Sequence, residues 1–507
     1  MAEDSISNNK RIAKNTLMLY IRMFVTMIVG LYTSRVVLNT LGVEDYGIYA
    51  IVGGVISMMS FLNVSMSGAT SRFITFELGR GDQKRLDATF SSAMLVHIGI
   101  AFFILLVGET AGLWFFINKL VIPEARMDAA LCVYHLSIIS MMISVCQVPY
   151  NACIIAHEKM DAYAYIEIAN TLLKLGIVFL LLIGDYDKLI LYAWLNLGVS
   201  IIIFLTYRIY GRKYFSESRF KFIWDKTILK PMLSFSGWDL YGNGCATLKQ
   251  QGTNILINIF FGVALNAASG IATSVSAMVS GFSRNILVAF RPQIIKNYSV
   301  GNIAEMQKLI NNATKYTLLL YSCFCVPLLI EIDYVMELWL GNVPEYASDF
   351  CRILLISSMF YIIIHIINTG ISSTGEMKML SFYSGTTLLA HIPLIYVIFK
   401  LGYGAIYAYY ADILIAFLVF AGNTVVLKKQ IPAINIRQFL SNFTIPLFLI
   451  IPLTLILFYI SGSIPESFLR LVIITATYVT VAAIISYGIL LDKSTKAKVK
   501  AYLKAKL

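Results

Sequence analysis

Apolar runs of roughly twenty residues follow one another from Ile12 almost to the end of the chain, separated by short polar connections. A helix of that length, rising 1.5 Å per residue, crosses about 30 Å of hydrocarbon. Inside lipid each backbone N–H and C=O must be satisfied within the segment, so runs of this kind fold as helices. The expected fold class is therefore an all-α polytopic membrane protein. Charge agrees, because only 13% of the 507 residues are Asp, Glu, Lys or Arg, against about 25% in a soluble domain. The polar start before Ile12 lacks the short core and small-residue site of a cleaved signal.

Hydropathy marks spans near 12–41, 47–71, 88–117, 129–156, 163–184, 188–211, 264–290, 312–332, 350–372, 380–400, 404–427, 440–461 and 466–490. Alternate connections differ in charge. One set, which includes the N-terminus, 72–85, 208–230, 291–315 and the C-terminal tail, holds about 29 Lys and Arg; the other holds five (Lys119, Arg126, Lys188, Lys400 and Arg470). Basic residues beside helix ends stay cytoplasmic. Both termini are thus expected in the cytoplasm, which requires an even number of spans. The chain between the 208–230 and 291–315 connections must leave and return, so 232–261 counts as a helix despite its polar residues, and the total is fourteen. The net charge of +12 then reflects topology and attraction to anionic membrane lipids, not nucleic-acid binding.

A shift of 220 residues lays Gly42-Val43 on Gly262-Val263 and Gly81 on Gly301, and a shift of 218 lays Glu158 on Glu376 and Gly184 on Gly402. The expected organisation is two six-helix lobes in a parallel repeat about the membrane normal. The lobes are 1–211 and 232–427, joined by a cytoplasmic linker at 212–231. Two further helices at 428–490 and a basic cytoplasmic tail at 491–507 complete the chain.

Several spans carry a polar face at helical spacing. From Asp239, the residues Asn243, Thr247, Gln250, Asn254 and Asn258 fall within about 100° of arc at 100° per residue. Arg22 belongs to such a stripe in the first span with Asn15, Thr26, Thr33 and Thr40. Ser269, Thr273, Ser276, Ser280, Ser283 and Arg284 mark one in the eighth span, and Ser358, Tyr361, His365, Thr369 and Ser372 one in the tenth. The second span carries Ser57, Ser60, Asn63, Ser67 and Ser71, and the fourth Ser137, Ser140, Ser144, Gln147 and Asn151. Hydroxyl stripes alone also suit helix packing. Charges within spans are costly unless they face a cavity or a partner, and so mark function. Arg22, Lys174, Lys249 and Arg284 stand inside spans against Asp239 and Asp412, with Gln250 and Asn254 on the wet face of the seventh span. The interior is net cationic, a cavity suited to a phosphorylated, sugar-like anion. Glu167 shares a face with Lys174 and is a candidate partner for it. Arg35 lies off the first span's stripe, where snorkelling or pairing with Glu44 or Asp45 competes with substrate binding. His365, His391 and the seven cysteines read as core residues. No catalytic constellation, nucleotide-phosphate loop or metal-ligand cluster is present in the sequence, so no cofactor and no enzymatic activity are expected.

The runs SRVVLNTLGVEDYGIYAIVGG (34–54) and SRFITFELGRGD (71–82) resemble the start of Wzx-type polysaccharide flippases. These belong to the multidrug/oligosaccharidyl-lipid/polysaccharide exporter (MOP) superfamily, with the lipid II flippase MurJ and the MATE antiporters. The resemblance implies a bacterial inner-membrane protein that moves an undecaprenyl-pyrophosphate-linked oligosaccharide outward by alternating access, as a monomer beside polysaccharide polymerase machinery. It implies a basic central cavity, here Arg22, Lys174, Lys249, Arg284, Gln250, Asn254 and Arg35. It also implies a coupling carboxylate early in the seventh span: Asp239, with Asn243 and Asp412, holding Na⁺ or H⁺. The alternative on the same fold is a cation-coupled multidrug antiporter, for which acidic groups would be expected in the cavity.

Overall fold

A computed structural model describes residues 2–57, 60–119, 122–181, 186–340, 343–486 and 488. Among these residues the chain is all-helical, with fifteen α-helices. They are α1 (Ala2–Ser57), α2 (Ser60–Arg80), α3 (Gln83–Val107), α4 (Leu113–Lys119), α5 (Met127–Ala156), α6 (Met160–Leu180), α7 (Lys188–Tyr214) and α8 (Lys226–Ser299), followed by α9 (Ile303–Leu340), α10 (Ala347–Thr374), α11 (Lys378–Leu389), α12 (His391–Lys400), α13 (Ile406–Gln430), α14 (Ile436–Ser461) and α15 (Phe468–Ile485). Among the described residues ten helical stretches are long and apolar enough to cross a membrane, so this is a multi-pass membrane protein. None of the ten comes from α1, α2 or α8, the helices in which polar side chains interrupt the apolar runs.

The polar segment 232–261 is helical and lies within α8. Two glycines break the longest helices. Gly42 sits at φ 81°, ψ 170° inside α1, and Gly262 at φ 82°, ψ −174° inside α8. A side chain would clash in that region of backbone space, so only glycine kinks the chain there at low cost. The spacing of 220 seen in the sequence thus recurs as backbone geometry, and Gly81 and Gly301 repeat it at φ 75° and 76°. At the second alignment the helix ends keep the shift of 218, Ala156 and Met160 against Thr374 and Lys378, while the left-handed residue is Glu158 (φ 59°) in one connection and Gly375 (φ 88°) in the other. Gly184 and the tail beyond residue 488 lie outside the described residues.

The connections are shorter than hydropathy suggests. The acidic stretch 331–349 is mostly helix, because α9 continues to Leu340 and α10 starts at Ala347. Between α8 and α9 only 300–302 is non-helical, and between α2 and α3 only 81–82. Hydropathy senses where hydrocarbon ends, whereas a helix continues into the polar layer wherever its caps allow. Asp82, Asp187, Asp225, Asn435 and Ser467 supply such caps for α3, α7, α8, α14 and α15, each accepting orphan N–H groups of the first turn. The segment read as one span at 380–400 is two helices that meet at Ala390. Pro393 explains the break, since it lacks the N–H that would bond the Leu389 carbonyl.

The chain divides into two compact units, one of Met1–Asn243 with Ile295–Gly301, the other of Gly244–Ile294 with Asn302–Leu507. In the first, α5 packs against α2, α3 and α7, and α6 against α1. Phe116 stacks on Tyr134 at 4.7 Å in its core. The end of α8 is fastened in this unit by Lys296 Nζ, which donates to Glu158 Oε1 at 2.9 Å. Arg126 joins three segments by donating to Asp45 (2.8 and 2.7 Å) and Asp187 (2.5 and 3.2 Å). Asp45 therefore has Arg126 as its partner, while the side chains of Arg35 and Glu44 lie outside the described residues. In the second unit, α10 packs on α9 and α13, α13 on α11 and α12, and α14 and α15 on α9. Buried Arg470 there donates to Glu331 at 2.7 and 3.0 Å.

Candidate functional site

The second unit contains a built polar site where α8, α10 and α13 meet. Lys249 of α8 forms a salt bridge with Asp412 of α13, and both side chains are largely shielded, at 16% and 6% exposure. Tyr361 of α10 completes the triangle: its Oη donates to Asp412 Oδ1 at 2.9 Å and accepts from Lys249 Nζ at 2.9 Å. The ammonium also lies 4.9 Å from the Tyr361 ring centroid. A lone charge at this depth would be costly, and the pairing, with the Tyr361 hydroxyl bonded to both ions, offsets that cost.

Beside the triangle lies a cavity of about 280 Å³. Its wall gathers the polar stripes legible in the sequence: Thr273, Ser276, Ser280 and Arg284 from α8, with Ser358 and His365 from α10. Ser276 and Ser358 hydrogen-bond at 2.7 Å and join the two stripes. Arg284 is exposed to this space, and among the described residues no carboxylate comes within 4.0 Å of it. A second cavity, of about 60 Å³, adjoins the first at the pair, with Asn254, Ser269, His391 and Tyr409 in its wall. Lys249, Gln250 and Asp412 line both. Asn254 accepts a long hydrogen bond from Ser269, 3.4 Å.

The first unit holds a different arrangement. Arg22 of α1 donates to Tyr163 Oη at 2.7 Å and lies 4.9 Å from the centroid of that ring. Among the described residues no carboxylate lies within 4.0 Å of its guanidinium. Glu167, proposed as a partner for Lys174, instead accepts from Tyr207 Oη at 2.8 Å, and Lys174 is exposed. The Asn243 amide donates to Asp239 Oδ2 at 3.0 Å, one turn along α8. Arg352 pairs with Asp333 at 2.5 Å and Asp349 at 3.3 Å in the second unit.

Of the residues singled out in the sequence, Lys249, Gln250, Arg284 and Asp412 come together on one cavity wall, and Asn254 faces the adjoining one. Tyr361, Tyr163 and His391 are the participants sequence reasoning undervalued. Tyr361 stood in the tenth span's stripe, and His391 immediately precedes the Ile-Pro that breaks its span. Among the described residues no three His, Cys, Asp or Glu side chains converge to hold a metal. The arrangement can bind a polar, anionic ligand by charge and hydroxyl contacts.

No protein-family model matches the chain, and no curated protein matches it. Solved structures do. A multidrug resistance MATE family transporter of the MOP superfamily in an outward-facing conformation is 12% identical, with TM-score 0.69 over 84% of this chain and 97% of that one. MATE in a straight conformation is 13% identical, with TM-score 0.71 over 83% and 97%. A MOP superfamily transporter from Pyrococcus furiosus, described by a binding pocket of reverse polarity that suggests a different function, is 13% identical, with TM-score 0.68 over 83% and 96%. The chain has the fold of the MATE transporters of the MOP superfamily, the superfamily to which Wzx-type flippases also belong.

Proposed function

We propose that the chain is a flippase that carries an undecaprenyl-pyrophosphate-linked oligosaccharide across the bacterial inner membrane for surface polysaccharide synthesis. It has fourteen spans in this reading, counting those on either side of Gly42 and Gly262, in two six-helix lobes plus two added helices. Both termini are cytoplasmic, and the protein alternates access as a monomer that hands its product to polymerase machinery. The observation that carries the proposal is the charge of the larger cavity: Lys249 and Arg284 against one carboxylate, Asp412, among hydroxyls and an amide. Arg22 adds a cation that a phenol, not an acid, holds in place. Fixed cations in a low-dielectric site recover the desolvation cost of a pyrophosphate, and hydroxyls and amides suit sugars.

Asp239, with Asn243, is assigned to ion coupling: its occupancy biases the protein between two orientations, as any ligand does through its differential affinity. At Asp412 a proton fits better than Na⁺, because the Lys249 ammonium already stands on that carboxylate. A multidrug antiporter is the second reading, favoured by the multidrug transporter among the similar folds. Reconstitution separates the two. Proteoliposomes should move a fluorescent pyrophosphate-linked oligosaccharide lipid between leaflets, and should not accumulate organic cations. Cation accumulation without lipid movement overturns the flippase reading.

A further inference from the structure

The Lys249–Asp412 pair forms part of both cavity walls. On the larger side stands the exposed guanidinium of Arg284. On the smaller side stands His391, only 1% exposed, whose Nδ1 is buried without a hydrogen-bond partner. A buried imidazole nitrogen left unpaired is costly, so its place beside a carboxylate calls for a role. The smaller cavity, about 60 Å³, has room for water to bridge His391 to Asp412. The break at Ala390 places the ring there, since His391 is the first residue of α12.

The groups facing Asp412 are few. Lys249 and, farther along α8, Arg284 come from one side; Tyr361 and His365 come from α10, His391 from α12, and Tyr409 from the preceding turn of α13 itself. From α11, Tyr383 Oη donates to the Leu418 carbonyl at 3.1 Å and Ser384 donates to Asn423 at 2.6 Å, both farther along α13 than Asp412. With Asp412 ionised, Lys249 is neutralised and Arg284 is the cavity's remaining net charge. With Asp412 protonated, the pair changes from zero to +1 and the ammonium can turn toward the cavity.

We propose that Asp412, Lys249 and His391 form a proton-operated anion latch: one proton entering through the smaller cavity neutralises Asp412 and releases Lys249 to hold a phosphate group in the larger one. The latch rests on the reading of that cavity as an anion site. No covalent step is involved. The proton comes from water, is passed by His391 and resides on an Asp412 oxygen, while Lys249 remains an ammonium throughout. Binding of the anion then takes up a proton, and by linkage affinity rises as pH falls, up to about tenfold per pH unit where uptake is complete.

The test uses the full-length protein in detergent and one probe, a pyrophosphate diester with geranyl on one phosphate and N-acetylglucosamine on the other, whose charges do not titrate near neutral pH. Calorimetry in buffers of different ionisation enthalpy counts protons directly. The wild type should take up close to one proton per diester bound. Asp412→Asn should bind with no uptake and no pH dependence, about as tightly as the wild type in acid. His391→Gln should keep the equilibrium uptake and slow the response of the protein's own tryptophan fluorescence to a pH jump. Diester binding by the wild type without proton uptake overturns the latch and leaves the anion cavity standing. No binding at any pH overturns both. Because the wild-type count needs no variant, misfolding of Asp412→Asn does not rescue the proposal.

Discussion

Each unit holds a partly buried cation against a tyrosine, and the difference between the two lies in what else touches it. In the first unit Arg22 leans on Tyr163, with no described carboxylate within salt-bridge distance. In the second, Lys249 has Tyr361 and also Asp412. A guanidinium held by a phenol keeps its full charge toward a ligand, whereas an ammonium held by a carboxylate is neutralised until the carboxylate is. The first arrangement is a standing charge and the second a conditional one. A chain with only standing charges would hold an anion as tightly after transport as before it. A conditional charge permits release.

The largest expected effect tests the standing charges. Arg22→Ala and Arg284→Ala should each lower oligosaccharide-lipid transport in proteoliposomes thirtyfold or more, the scale of losing a desolvated charge contact of about 2–5 kcal/mol. Arg22→Lys should recover part of the rate, since charge survives but the planar two-pronged contact does not. Wild-type transport in both alanine variants, at equal membrane content, would break the comparison at its root.

Stability should separate the two cations in the opposite direction. Lys249→Ala strands Asp412 as an unpaired buried charge, at a cost of about 3–5 kcal/mol. The double change Lys249→Met with Asp412→Leu should regain most of that loss. Arg22→Ala removes one hydrogen bond and no ion pair, about 1 kcal/mol. Thermal unfolding in detergent reads all three, and equal losses at Lys249 and Arg22 would mean that Asp412 does not neutralise its neighbour.

Asp239→Asn mimics the neutral carboxyl while keeping the shape that meets Asn243. Transport under imposed Na⁺ or pH gradients should stop, and binding of the pyrophosphate diester should change less than threefold. Wild-type rate with unchanged gradient dependence would reduce Asp239 to a satisfied interior residue and leave coupling to the second unit alone.

The smallest effect belongs to the clamp of Arg126 in the first unit. Its hydrogen bond to Asp187, which lies outside the spans, holds that carboxyl below its ordinary range. A carboxylate with a depressed folded value contributes stability that is complete above the ordinary carboxylate range and is lost as pH falls through the lowered value. Arg126→Gln should therefore lower the melting temperature by a degree or two at neutral pH, about 1 kcal/mol for a partly exposed pair, and by progressively less in acid. A constant deficit at every pH would assign the loss to packing.

Much of this molecule is legible residue by residue. The recurrent apolar runs require helices, because lipid offers no partner to an unsatisfied backbone group. The polar spacing from Asp239 to Asn258 marks 232–261 as helix, and α8 covers it. The glycine pairs at a spacing of 220 align the two halves in the sequence, though only the structure shows that Gly42 and Gly262 each sit at a kink. The stripes containing Ser276 and Ser358 are visible as faces, since 100° per residue is a local property of one helix.

Which face meets which is not local. Lys249 and Asp412 are 163 residues apart, and a helical wheel reports the direction of a side chain without naming the helix opposite. The same limit hid Arg126 as the partner of Asp45 and Tyr207 as the partner of Glu167. Helix ends eluded hydropathy as well: α9 carries its acidic residues eight positions past the apolar run read to residue 332, out to Leu340. The sequence by itself determined the helices, their polar faces and the excess of positive charge inside them, because those follow from backbone chemistry and short-range periodicity. Tertiary structure alone decided which of the cations is neutralised, because that depends on which helices pack together in each unit.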